Sequence, residues 1–241
     1  MKTFANLASQ IADDYIFTSS YSYHSRDNEI VQRVIADSRQ VQPGDVFVAV
    51  TGANYDGHNA IADALNRGAL GIVGTKSVAD LAPFVDKPWA TTLEPEQPGF
   101  LRRESKLLNF GYICVKDARL ALARANAWLH DFPSRTMRVI GVTGTDGKTT
   151  TTSLIEAILV EATRGEHTPD GSVGVITTIG ARVMGKESAT GLHVTTPDAP
   201  EVQQFLAEMR DAGCTYAVIE STSHGLDQQR VASVDFDVAV V

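Results

Sequence analysis

The sequence predicts an α/β protein, with a small N-terminal α/β domain over residues 1–115 followed over 116–241 by an incomplete, mostly parallel α/β domain built on a phosphate-binding loop. Three observations predict this. Residues 137–152, MRVIGVTGTDGKTTTT, run from an apolar strand into a glycine loop, a lysine and four threonines. Downstream, strand-like and helix-like segments alternate, the pattern of a parallel sheet with its ligands at the carboxyl edge. Upstream, a shorter strand, helix, strand series is legible.

The first domain begins with DVFVAV (45–50) as a strand, IADALNRG (61–68) as a short helix closing on Gly68, and ALGIVG (69–74) as a second strand. Residues 81–111 hold Pro83, Pro88, Pro95 and Pro98 among mixed charges and read as an irregular insertion. DARLALARANAWLHD (117–131) is a helix that stops before Pro133. Val139, Ile140 and Val142 then form the buried strand before the loop, and apolar periodicity resumes after it at Leu154, Ile155, Ile158 and Leu159. VGVITTIGARV (173–183) reads as one strand. The next helix is the clearest: Asp198 and Glu201 make a capping box, Pro200 sits in the first turn, and Val202, Phe205, Leu206 and Met209 follow at helical spacing until Gly213. CTYAVIE (214–220) and FDVAVV (236–241) are strands. A parallel sheet ordinarily continues into a helix after such a strand, so the chain reads as truncated, and strands flanking the phosphate loop are expected to be missing.

Composition bounds the function. With 43% apolar and 21% charged residues the chain is an ordinary globular protein. Its net charge of −8 without a basic run argues against a nucleic-acid surface. Cys114 and Cys214 lack metal-ligand spacing, and the N-terminus lacks the apolar stretch of a signal peptide, which together predict reduced thiols, no membrane anchor and a cytoplasmic location.

In the loop, Gly144 and Gly147 let backbone N–H groups approach an anion, Lys148 is placed to reach the β and γ phosphates, and Thr149 to hold Mg²⁺. The commoner GxxxxGK[ST] spacing requires glycine at 142, where valine stands, so only the shorter GTDGKTT form fits. A plain strand-to-helix turn explains the glycines but not Thr149–Thr152, poor choices for a helix selected by packing. Glu220 closes an apolar strand, an ordinary place for a carboxylate and also one from which a metal beside the loop can be held. After it, Ser221, Thr222, Ser223, Gln228 and Arg230 can bind a carboxylate or sugar. His224 has no matched nucleophile and reads as structural. Thr195 and Thr196 precede a helix start, where a cap alone or an anion site is possible.

The segments GVTGTDGKTTT, HVTTPDAPEVQ and IESTSHGLDQQRV, preceded by DSRQVQPGDVFVAVTGANYDGH, resemble the Mur ligases, most closely those of the MurE type. The phosphate loop is common to Mur ligases and folylpolyglutamate synthetases, and the DSR and DGH segments are shared with the MurF type. The resemblance implies ATP-dependent amide-bond formation on UDP-MurNAc-L-Ala-D-Glu, through an acyl phosphate attacked by a third amino acid. It implies ATP on Gly144, Thr145, Asp146, Gly147, Lys148, Thr149 and Thr150, with Lys148 and Glu220 catalytic and Mg²⁺ on Thr149 and Glu220. It assigns Thr195, Thr196, Thr222, Gln228 and Arg230 to the MurNAc-peptide, and Ala36, Ser38 and the 53–55 turn with Asn54 to the uridine end. Asp146 stands where asparagine is commoner and has to point away from phosphate. Thr222 stands where serine is commoner and keeps the hydroxyl. The family's carbamoylated lysine, its downstream histidine and acidic motif, and the domain that selects lysine or diaminopimelate have no counterpart in these residues, so the 241 residues alone are expected to be inactive. A MurF-type or other Mur-superfamily ligase, and a stand-alone nucleotide-binding module, are the competing readings.

Overall fold

The computed structural model describes residues 1–11, 28–85, 110–177, 180–188 and 197–241, in two compact units, Met1–Ala125 and Asn126–Val241. The division falls inside the helix α3 (Ala118–Leu129), whereas the sequence places the boundary before it, at 115/116.

The first unit opens with α1 (Phe4–Gln10), whose first turn is capped by the Thr3 hydroxyl accepting from the Asn6 amide. Its sheet is parallel throughout and follows chain order: β1 (Val34–Ile35), β2 (Val46–Val48), β3 (Gly71–Gly74) and β4 (Gly111–Cys114). Strands β2 and β3 are buried along their whole length, as parallel strands covered on both faces must be. Gly71 and Gly111, neighbours across β3 and β4, leave room for the Phe4 ring, which a Cβ at either position would meet within 2.3 and 2.2 Å. Phe47, Ile61, Ile72 and Tyr112 form the centre of the core with α2 (Ile61–Asn66). Much of the expected insertion, residues 86–109, lies outside the described residues; 78–84 form a 3₁₀ helix.

The DGH segment explains how the loop after β2 is held. The His58 side chain is fully buried. Its Nε2 accepts from the Thr75 amide at 3.1 Å, so the proton sits on Nδ1 and is donated to Asp56 Oδ1 at 2.6 Å. Burial pushes the Asp56 carboxyl up, but the His58 amide and ring and the Lys76 ammonium, 3.2 Å away, more than offset this and hold it well below the usual carboxylate range. Gly57 and Gly74 have no alternative, since a Cβ would fall 2.4 Å from the Val50 carbonyl and 2.8 Å from His58 Nε2 respectively. His58→Ala strands the Thr75 amide and takes the ring donor from Asp56, which keeps the residue 58 amide and Lys76, and should lower stability by about 2 kcal/mol in urea unfolding; a loss below ~1 kcal/mol would show that the network is not holding the loop.

The second unit carries β5 (Arg138–Val142), α4 (Lys148–Thr163), β6 (Val173–Thr177), β7 (Gly180–Val183), β8 (Lys186–Ser188), α5 (Ala199–Asp211), β9 (Tyr216–Glu220), α6 (Ser223–Asp227) and β10 (Val238–Val240). Their six-stranded sheet has the order β10-β5-β9-β6-β7-β8, parallel from β10 to β6 and antiparallel thereafter. The α/β class is as expected. Residues 173–183, expected as one strand, are instead two antiparallel strands paired from Gly174↔Val183 to Thr177↔Gly180. Gly180, at φ +153°, takes a backbone conformation that L side chains rarely adopt where the second strand begins. Strand β5 is not missing its neighbours either: β9 and β10 flank it on both sides.

Helix α4 corrects a further expectation. Thr152 is buried and Ile155 and Leu159 are packed against the sheet, at i, i+3 and i+7, whereas Leu154 and Ile158 are 61% and 68% exposed. An apolar set wider than one stripe cannot all face one sheet. Among the described residues no helix is long and apolar enough to cross a membrane.

Candidate functional site

The site is organised around the carboxyl ends of β5 and β9, which are paired in register so that Val142 lies opposite Glu220. The chain leaves β5 across β9 to β6, and later leaves β9 across β5 to β10. Connections departing in opposite directions open a crevice at these strand ends, the place where open α/β sheets bind ligands. Val142, standing where the commoner motif needs glycine, is the last residue of β5 and is buried, so the loop proper begins only at Thr143.

Gly144 and Gly147 both lie in the left-handed half of backbone space, at φ +139° and +76°. Nothing lies within 4 Å of a Cβ built on Gly147, so its requirement is conformational rather than steric. Gly147 caps α4 without a side chain, leaving the amides of the first turn, including those of Lys148, Thr149 and Thr150, to other acceptors. The Lys148 ammonium lies over its own loop, donating to the carbonyls of Gly144 at 2.8 Å and Thr145 at 3.1 Å. Asp146 is exposed.

Thr149 and Glu220, far apart in sequence, meet here. The Thr149 hydroxyl lies 3.0 Å from both carboxylate oxygens of Glu220, whose residue is only 1% exposed. A buried carboxylate beside a hydroxyl at the mouth of an anion loop is a hard-oxygen donor pair, suited to a cation that takes its remaining ligands from phosphate and water. The residues therefore fit Mg²⁺. Of the other threonines, Thr152 turns into the sheet side of the helix and not toward the loop.

Beyond Glu220, Ser221 is tied back to β5 by its amide, which donates to the Val142 carbonyl at 2.9 Å. Thr222 caps α6, its hydroxyl accepting from the Gly225 amide at 3.0 Å. Gln229 adopts a left-handed conformation, φ +58°, between Gln228 and Arg230, and the Arg230 Nη2 donates to Gln228 Oε1 at 3.1 Å. The Gln228 amide nitrogen therefore faces His224 Nε2, at 2.8 Å, which must accept. His224 is thus engaged by Gln228. Arg230 Nε also forms an ion pair with Asp198 Oδ1 at 3.3 Å. The sequence reading recognised Asp198 only as a helix cap. Its role as a partner of Arg230 carries no sequence signal, because the two residues come together only through the fold.

Thr195 and Thr196 lie outside the described residues. In the first unit, Ala36 follows β1 directly and is exposed, and Ser38 lies in the next 3₁₀ turn. Asp37 caps that turn, and the Arg39 guanidinium, 2.8 Å away, is the main cause holding its carboxyl down at about 2. A Ser38 hydrogen bond and Arg67 keep the Asp63 carboxyl below its ordinary value. Asn54 lies exposed in the turn after β2, which is closed by the Gly52 amide donating to the Tyr55 carbonyl at 2.8 Å. Ala36 and Asn54 thus follow the carboxyl ends of adjacent parallel strands.

Residues 31–90 match the family described as Mur ligase family, catalytic domain, and residues 142–241 match the Mur ligase middle domain. The chain is 37% identical over 216 residues to a UDP-N-acetylmuramyl-tripeptide synthetase of Roseiflexus sp. (strain RS-1), covering 88% of this chain and 36% of that protein. It is 39% identical over 204 residues to a UDP-N-acetylmuramoyl-L-alanyl-D-glutamate--2,6-diaminopimelate ligase of Gloeobacter violaceus, covering 85% and 35%. A solved structure of a ligase with that second name superimposes with a TM-score of 0.61 at 23% identity, over 90% of this chain and 37% of the other, a likeness of fold. The chain thus spans about a third of the length of the relatives it matches. With both of its units matched by the same family and its phosphate loop at the switch point of the second, the chain belongs to the Mur ligase family.

Proposed function

We propose that this chain is the nucleotide- and substrate-binding part of a cytoplasmic MurE-type ligase, which adds the third amino acid to UDP-MurNAc-L-Ala-D-Glu at the expense of ATP. The observation that carries the reading is one strand end with two duties. Glu220, with Thr149, lies at the phosphate loop, and the ten residues that follow lead through Thr222 and Gln228 to Arg230. The names of relatives at 37% and 39% identity support the choice of substrate.

In the proposed reaction a carboxylate oxygen of the dipeptide attacks the γ-phosphorus and ADP departs. The amine of the third amino acid then attacks the acyl carbon and inorganic phosphate leaves. A free carboxylate is a poor electrophile, so the first step supplies the leaving group that the second needs. Lys148 and the free amides of α4 hold the phosphates and oppose their charge. Thr149 and Glu220 would hold Mg²⁺, which when bound neutralises charge on the phosphoryl oxygens. Arg230 orients the peptide carboxylate through its planar fork. The uridine end falls to Ala36, Ser38 and Asn54 in the first unit, and Thr195 and Thr196 belong with the peptide.

Titration calorimetry with UDP-MurNAc-L-Ala-D-Glu tests this directly. Arg230→Lys keeps the charge but loses the fork, and should weaken binding roughly tenfold. Identical affinity in the two proteins would remove Arg230 from the substrate site.

A further inference from the structure

We propose that Asp198 is a positioning residue for Arg230, setting the guanidinium in the orientation in which it meets the peptide carboxylate. This rests on the reading of Arg230 as that contact. Three neighbours constrain the group in sequence. His224 fixes the Gln228 amide at 2.8 Å, Gln228 accepts from Arg230 Nη2 at 3.1 Å, and the Asp198 carboxylate lies 3.3 Å from Nε as an ion pair. The hydrogen bond at Nη2 fixes one corner of the planar group, and the charge of Asp198 beside Nε favours the swing that keeps the two together. The guanidinium side chain is only 16% exposed, so it has little room to reorient, while the Asp198 carboxylate is 65% exposed and reaches it from the solvent side.

Asp198 also begins α5, in a capping box in which the Glu201 carboxylate accepts from the Asp198 amide at 3.2 Å. One residue thereby links the start of α5, two residues after Thr196, to the turn after α6. Helix α5 is anchored in the core by Val202, Phe205, Leu206 and Met209, all nearly inaccessible, so the carboxylate is presented from a rigid element. A cap alone does not need a charge: asparagine and serine cap as well as aspartate. The ion pair does need it.

The alternative is electrostatic. If Asp198 merely competes with an incoming carboxylate for Arg230, removing its charge tightens anion binding. Positioning predicts the reverse. Asp198→Asn and Asp198→Ser, both of which retain a capping side chain, should each bind UDP-MurNAc-L-Ala-D-Glu roughly tenfold more weakly than the unaltered 241-residue chain. Both should keep its affinity for UDP and its urea midpoint. In the Arg230→Lys background, Asp198→Asn should have little further effect, because there is no fork left to orient. Equal or tighter binding by both single variants would overturn the proposal. An unaltered chain that binds UDP but gains nothing from the MurNAc-dipeptide would overturn the reading of Arg230, and the proposal with it.

Discussion

Lys148→Ala should weaken ATP binding about 30-fold, the equivalent of ~2 kcal/mol for a charge-assisted contact to phosphate. Among the described residues its ammonium is hydrogen-bonded to the carbonyls of Gly144 and Thr145 within its own loop, and it takes no part in the core, so unfolding should be unchanged to within about 0.5 kcal/mol. Those two carbonyl contacts gather the ammonium over the arc of the loop, where the first-turn amides of α4 also converge. Calorimetry on the wild type and the variant, with denaturation run in parallel, separates loss of the site from loss of the fold. Equal Kd values would sink the assignment of Lys148 to phosphate.

Glu220→Gln has the more diagnostic signature, because its effect should change sign with the metal. The carboxylate is almost inaccessible and accepts from Thr149 on both oxygens, and glutamine keeps the shape and one acceptor. Without Mg²⁺, removing a negative charge beside the phosphates should leave ATP binding unchanged or strengthen it. With Mg²⁺, the loss of the anionic ligand should weaken binding on the order of 30- to 100-fold. The comparison is a nucleotide titration with and without Mg²⁺ for both proteins. A variant that gains as much from Mg²⁺ as the wild type would show that Glu220 is not a metal ligand, whatever happens to its ATP affinity.

Local chemistry determined much of what could be read without coordinates. The strand-to-helix glycine loop was legible because backbone conformation and residue type are tied within a few positions: Gly144 and Gly147 take positive φ, and the strand ahead of them is buried. Helix α5 was legible for the same reason, its cap, first-turn proline and apolar spacing all being local signals. Where the sequence misled, the deciding partner was remote. The run 173–183 has the β propensity of one strand, and propensity does not say whether a strand turns back on itself; Gly180 and the pairing with β7 did. Leu154 and Ile158 share the apolar character of Ile155 and Leu159, but a helix lying on one sheet can bury only one side.

The same division runs through the site. Sequence alone determined the residue types: a loop lysine and threonine, a carboxylate at the end of a strand, and an arginine with amide and hydroxyl neighbours. Only the tertiary structure decided that Thr149 lies against Glu220, that the His58 ring is held between Asp56 and the Thr75 amide, and that Asp198 is paired with Arg230. The first depends on the strand order β10-β5-β9-β6, the second on the pairing of β2 with β3 that brings Thr75 to the ring, and the third on a helix end brought to a distant turn. Such placements follow from burying both faces of a parallel sheet, a property of the whole unit that no window of a few residues contains.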